Sequence, residues 1–268
     1  MMKRFGIVFS VAALLTAGSL SYGQTTWDGS EADGLWFNAN NWDTGVVPNS
    51  AGAQAIVGAP SPTVTNGDVL LQSLNVTAAG VLNVGISQNL NFAAGATTSL
   101  TNAGAITALN NSDLQILGMV DNSSSITIAS TGNQTDLEVA VGGATLTGGG
   151  SVTLTGPNAG INDASGTQTL TIANQTIQGV GSVGRNTMDF NNQAGGVVQA
   201  NVSAGLLSLD AVNLFANAGT LRASGGGILE LRDGGTGDFV NAGGTIEALA
   251  GSEVRLLTGA RIIGGVLS

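Results

Sequence analysis

The chain reads as all-β, and more narrowly as a right-handed parallel β-helix, a β-solenoid with an N-terminal cap. Three observations carry that expectation. Near the C-terminal end a phenylalanine is followed at the second position after it by asparagine, at Phe190/Asn192, Phe215/Asn217 and Phe239/Asn241, in steps of 25 and then 24. After each Asn come small residues and an apolar position, so that Val198, Leu221, Ile246 and Leu267 follow in step, with Leu207/Leu209, Leu229/Leu231 and Val254/Leu256 behind them. A fixed period in the twenties marks stacked units, none of which can bury its apolar face without a neighbour. The third observation is composition: 42 glycines, 9% charged and 43% hydrophobic residues, with Val, Ile and Leu alternating with Thr, Ser and Asn and almost no helical periodicity beyond residue 23. Disordered chains combine low hydrophobicity with high charge, and this one does not. An antiparallel sandwich or barrel also has short strands and glycine turns, but it needs no constant period.

Residues 1–23 carry the features of a secretory signal. Lys3 and Arg4 form a basic start, residues 5–17 an apolar stretch, and Ser21, Tyr22 and Gly23 a small-x-small cleavage site. Thirteen apolar residues fall short of the roughly 20 that span a bilayer as a helix, and no later segment approaches that length. Cleavage there leaves five arginines against seventeen carboxylates, a balance of −12. So acidic a chain, with no basic stripe, is repelled by nucleic acid and by anionic membrane surfaces.

Residues 24–68 form a distinct head. All three tryptophans, Trp27, Trp36 and Trp42, lie here among Asn, Asp and Gly turn residues. A short irregular segment of this kind suits the end of a solenoid, whose first coil would otherwise expose unpaired strand edges.

Residues 69–268 supply the coils. Short apolar runs alternate with turns, and Leu100-Thr-Asn102 reads as an early copy of the Phe-x-Asn pattern with Leu at the Phe position. Between about 105 and 170 the spacing departs from 24, so the register is loose. At about 4.8 Å per rung, some 200 residues make on the order of eight coils and a rod of about 40 Å. Equivalent residues then lie above one another: Phe190, Phe215 and Phe239 as an internal aromatic stack, and Asn192, Asn217 and Asn241 as a ladder of bonded amides. The final segment begins another coil and stops, which reads as a truncated stack leaving Ile262, Ile263, Val266 and Leu267 poorly covered.

The segments at 174–184 and after each repeated Asn (NNQAGGVVQA, NAGTLRA, NAGGTIEA), together with the Trp-rich opening TTWDG and GLWFNANNWDTGVVP, resemble exported bacterial autotransporter-like and haemagglutinin-like β-helix repeat proteins. Surface proteins of the PEP-CTERM type share that Trp-rich opening. The resemblance implies export and placement at the cell surface or in extracellular matrix, with no catalytic residue to carry over. The Pro-Glu-Pro sorting tail and outer-membrane barrel common in such proteins are not seen in this sequence.

Histidine and cysteine are absent, which removes Ser-His-Asp and Cys-His sites, His-ligated zinc and disulfides. Carboxylate chemistry remains, and a glycosidase needs two carboxylates about 5 to 10 Å apart. Asp210, Glu230, Asp233 and Glu253, beside Arg232 and Arg255, are the candidates in neighbouring coils. Glu230-Leu-Arg232 and Glu253-Val-Arg255 follow one another at a step of 23 and read as a two-rung ladder of opposite charges on a solvated face. The glycine-rich run Asp233 to Asp238 matches calcium-binding repeats poorly and occurs once, and Asp28, Glu31, Asp33 and Asp43 suit turn and capping roles better than a cation. Thr145/Thr147, Thr153/Thr155 and Thr169/Thr171 could face one flat side, as in ice-binding solenoids, but their steps of 8 and 16 miss the coil period. Nothing is drawn from the sequons at Asn75, Asn122, Asn133, Asn174 and Asn201.

The expectation is therefore an exported structural or adhesive surface module without catalysis, with no catalytic, cofactor or metal residue assigned. Its partners would be carbohydrate, matrix or cell-surface components. The alternatives are a polysaccharide lyase or hydrolase using paired carboxylates, and a calcium-dependent or ice-binding solenoid.

Overall fold

The computed structural model describes residues 23–163, 165–232, 238–257 and 259–268. The segment read as a signal lies outside these apart from Gly23, and so does Asp233. The chain winds as a parallel β-solenoid of about eight turns. Each turn contributes to three faces in the order first, second, third. The second face is a sheet of ten parallel strands, from Thr63–Val64 and Val81–Val84 through Val197–Ala200 to Thr245–Ala248 and Val266–Leu267.

The first face stacks Gln54–Val57, Ser73–Val76 and Thr98–Asn102 at one end, and Asp189–Asn192, Phe215–Asn217, Asp238–Val240 and Arg261–Ile263 at the other. The third face runs from Val69–Leu71 and Asn89–Phe92 through Ala159–Asp163, Gly181–Val183 and Leu206–Leu209 to Ile228–Leu231 and Glu253–Leu256. Two long strands, Asp113–Asn122 and Thr135–Thr147, turn the corner and belong to both the third and first faces. A register shift between Ile116 and Gly118 marks that corner. Gly118 there has φ +64°, and a Cβ on it would lie 2.6 Å from the Thr97 carbonyl oxygen.

Strand after strand alternates buried with half-buried positions, as a two-sided coil wall requires. The inward residues form one continuous core from the head to Ile246. The expected register holds at the C-terminal end: Phe190 pairs with Phe215 and Phe215 with Phe239, Val198 with Leu221, Leu221 with Ile246, and Ile246 with Leu267. The phenylalanine rings stack at centroid distances of 4.9 and 4.3 Å. The amide ladder is present too. Asn192 Nδ2 donates to Asn217 Oδ1 at 2.7 Å, and Asn217 Nδ2 to Asn241 Oδ1 at 2.6 Å, all three side chains being buried.

The glycines after each Asn are explained by this ladder. A Cβ on Gly219 would lie 2.3 Å from the Gly196 carbonyl oxygen and 2.7 Å from Asn192 Nδ2, and one on Gly244 would lie 2.3 Å from Asn217 Nδ2. Only glycine, at Gly196, Gly219 and Gly244, lets the turns close over the amides.

Leu100-Thr-Asn102 is a correction. Leu100 pairs with Val120, Val120 with Leu146, and the column continues to Ile172 and then Asn192, not to Phe190. The Phe column instead runs back to Leu170 and Ala144. The Asn corner has moved by two residues between the halves of the molecule. Asn102 therefore belongs to a separate ladder: its Nδ2 donates to Asn122 Oδ1 at 2.8 Å, and Asn122 Nδ2 donates to Gln175 Oε1 at 2.8 Å. Gln175, fully buried, reaches back across the skipped rung and also donates to the carbonyls of Asn122 and Thr147.

In the head, Trp27, Trp36 and Trp42 are buried against one another with edge contacts at 5.2 and 4.7 Å. Trp42 Nε1 donates to the Trp36 carbonyl at 2.8 Å. The strands Gln54–Val57 and Thr63–Val64 of this region extend the first and second faces, so the head is built onto the sheets rather than set apart from them.

Candidate functional site

The outer side of the third face carries a single in-register column: Asn89, Asp113, Asp136, Gly160, Ser182, Ser208, Glu230 and Arg255. Its lower part is acidic. Asp113-Leu-Gln115 and Asp136-Leu-Glu138 lie on adjacent rungs, Asp113 beside Asp136 and Gln115 beside Glu138. Partial burial pushes the Asp113 carboxyl up to about 6, helped by the negative charges of Asp136 and Glu138. Burial raises Asp136 as well, opposed by hydrogen bonds from Gln134 and Asn162 and by the charge and hydrogen bond of Arg185.

Arg185 holds this region together across three rungs. It donates to Asp136 Oδ1 at 2.7 Å through Nη1, to Ser182 Oγ at 3.0 Å through Nε, and to the Asn158 carbonyl at 3.0 Å through Nη2. The guanidinium lies over Gly160, where a Cβ would come within 2.4 Å of it. Gln134 Nε2 at 2.6 Å and Asn162 Nδ2 at 3.1 Å complete the shell around Asp136 Oδ2.

Above the clamp the column shrinks to Ser182 and Ser208 before Glu230 fills it again. That dip, walled by Asn158, Asp210 and Arg232, is a polar trough of about 420 Å³. Arg232 is tied to Glu230 at 2.5 Å, so both guanidiniums lining the trough are already neutralised by a carboxylate. The Ser208 side chain differs from its neighbours. It is only 8% exposed, lines the trough, and has no hydrogen-bond partner among the described residues.

No family model, curated protein or solved structure matches this chain. Functional assignment therefore rests on its own geometry.

Of the carboxylates singled out from the sequence, Asp210, Glu230 and Glu253 fall along the upper third face. The charge ladder expected at a step of 23 is a correction: Glu230 pairs with Arg255 and Ile228 with Glu253, a step of 25. Each of these carboxylates bonds the arginine of its own strand, Glu230 to Arg232 and Glu253 to Arg255 at 2.8 Å. Asp238 takes a two-pronged bond from Arg261 at 2.7 and 2.8 Å, which holds its carboxyl below the usual range.

In the head, Asp33 accepts from the Leu35 N–H, Asn38 and Asn41, and is lowered by those bonds, the Leu35 N–H first. Asp43 accepts from the Thr26 N–H and the Thr25 hydroxyl. Among the described residues no group of three or more His, Cys, Asp or Glu could hold a metal ion. Thr145 pairs with Thr171 on the first face while Thr153 and Thr155 lie on the second, so the three Thr-x-Thr pairs do not share one flat array.

The second face is chemically different. Seven successive strands, from Thr63–Val64 to Val197–Ala200, contain no charged residue. Their outward side chains form two columns: Ala105, Ser125, Ser151, Thr176 and Val197 in one, and Asn83, Thr107, Thr127, Thr153, Gln178 and Gln199 in the other. Charge enters only at Arg222 and Glu247, paired at 2.5 Å on the following rungs.

The acidic cluster and its clamp lie outside the Phe-x-Asn period and so were not among the residues that the sequence singled out. A signal was present: Asp-Leu-Gln-Ile and Asp-Leu-Glu-Val begin at Asp113 and Asp136, one coil apart. Ser208 carries no such mark.

Proposed function

We propose that the chain is an exported structural or adhesive surface module that works without catalysis. The observation that supports this reading most is the neutral second face. On a chain whose balance is strongly acidic, seven rungs of uncharged outward side chains give about 29 Å of surface that does not repel an anionic cell or matrix. The column from Asn83 to Gln199 carries an amide or hydroxyl at every rung, so affinity would come from many weak contacts presented by a stiff rod. Carbohydrate, matrix or cell-surface components are the partners such a surface suits.

The competing reading is a polysaccharide-processing enzyme, with Asp113 and Asp136 one rung apart as its carboxylate pair. Against it, Asp136 is nearly inaccessible and its oxygens are held by Arg185, Gln134 and Asn162, so it has no free lone pair facing outward to attack or activate anything.

The test is capture against turnover. Beads coated with the protein should retain bacterial cells or extracellular polysaccharide over uncoated beads, without releasing new reducing ends or unsaturated sugars. Product accumulation above the blank would overturn the reading, as would retention no better than that of uncoated beads.

A further inference from the structure

The trough on the third face has the features of a built binding site rather than a gap between side chains. Its floor is set by the small residues Ser182 and Ser208, and its two ends by Asp136 and Glu230, four rungs apart in one column. That is about 19 Å of length. Its walls combine amide, hydroxyl, carboxylate and guanidinium groups with Pro157, and its two guanidiniums are occupied by carboxylates. One group is unused by the protein: the Ser208 hydroxyl faces the trough without a partner among the described residues, and its oxygen is open to water there. A hydroxyl that bonds only water in a trough can exchange that water for a ligand hydroxyl without breaking any bond within the protein.

We propose that this trough binds a segment of a neutral carbohydrate chain, with the Ser208 hydroxyl as a direct contact. The inference deepens the adhesive reading and rests on it. The ligand class follows from the walls. An apolar peptide side chain or lipid would find Pro157 but otherwise a lining of amide, hydroxyl, carboxylate and guanidinium groups. An anion would meet guanidiniums already neutralised, beside the carboxylates of Asp210 and Glu230. A sugar chain presents successive hydroxyls that both donate and accept, which matches Ser208, Asn158, Asp210 and Arg232 and needs no net charge. A linear chain would lie along the solenoid axis, crossing Ser182 and Ser208 on successive rungs.

Affinity electrophoresis of the whole protein through gels containing neutral polysaccharides (dextran, amylose, mannan or xylan) tests this directly. At least one of them should retard the protein. Ser208→Ala should weaken that retardation about five-fold, the worth of one net hydrogen bond, and Ser208→Trp, which fills the trough, should abolish it. Asn191→Ala, outward on the first face, should behave as the unaltered protein. If Ser208→Trp does not fold, Ser208→Ala still decides. Retardation unchanged in both Ser208 variants would overturn the proposal, and so would retardation by polygalacturonate alone or by none of the polymers. The adhesive reading would meanwhile stand or fall on bead capture, so the two failures are separable.

Discussion

The two halves of the solenoid build the same wall by different means. From Asp189 onward the coils are of nearly constant length, and the same residue types recur in one column: Phe on Phe, Asn on Asn, glycine closing each turn. Between Ala105 and Gln175 the coils vary, two strands run around a corner, and the amide ladder skips a rung that Gln175 spans with its longer side chain. The polar demands are the same in both halves. A buried corner leaves backbone carbonyls facing inward, and a primary amide can satisfy them while bonding its neighbour. What differs is whether the solution repeats in sequence.

The sharpest way to break the regular half is through its ring stack. Phe215 is sandwiched between Phe190 and Phe239, so Phe215→Ala should cost about 3–5 kcal/mol, read as a fall in the denaturation midpoint. In the irregular half the comparable lesion is electrostatic. Arg185→Ala leaves Asp136 buried without its cation and should cost about 2–4 kcal/mol, less than a fully buried pair because Arg185 is partly exposed. A loss of only tenths would mean that Gln134 and Asn162 alone suffice for Asp136.

If the two ladders are equivalent, breaking either should cost the same. Asn217→Leu removes a donor and an acceptor from the regular ladder and Asn122→Leu does so from the irregular one, and each should cost about 1–3 kcal/mol. A loss confined to Asn217→Leu would make the bridge through Gln175 incidental. The regular ladder also has a loose end: Asn192 Oδ1 is buried without a partner, and the rung below it holds Ile172. Ile172→Asn can donate to that oxygen, so it should be milder than Leu170→Asn in the same strand, where the new amide would meet Phe190.

The smallest expected effect concerns Asp113, faced by Asp136, Glu138 and the Arg185 cation. Its folded-state pKa of about 6 lies above the ordinary aspartate value of 3.8, so the charged form burdens the folded state at neutral pH. That burden is relieved as pH falls through about 6 and is gone below the unfolded value. Asp113→Asn should therefore stabilise the protein at pH 7.5, by no more than about 1 kcal/mol after allowance for its exposure, and by nothing near pH 4. A stabilisation that does not shrink between pH 7 and pH 4 would contradict the cluster.

The same contrast explains what the sequence revealed. The all-β class, the solenoid, the Phe stack and the Asn192–Asn217–Asn241 ladder could be read because coil length is constant there and equivalent residues are identical. Leu100 was misplaced because Leu-x-Asn imitates Phe-x-Asn while the corner has shifted by two residues, and side-chain type alone does not record where a corner falls. The charge ladder failed for a related reason, since a two-residue difference in one turn swaps which of two outward positions lie together. The trough was least legible. Ser208 matters through what its neighbours leave open around it, and that depends on three rungs at once.

The central claim is that one continuous register passes from the regular half through the irregular one, and a chain without cysteine allows a clean test. Paired cysteines would be placed at Asn191 with Ala216 in the regular half, and at Asp121 with Thr147 across the irregular coils, each an in-register outward pair on the first face. Adjacent rungs lie about 4.8 Å apart, within the range a disulfide spans. Under mild oxidation both pairs should close rapidly, and in the monomer. Closure of Asn191 with Ala216 but not of Asp121 with Thr147 would contradict the continuous solenoid and leave only its C-terminal half standing.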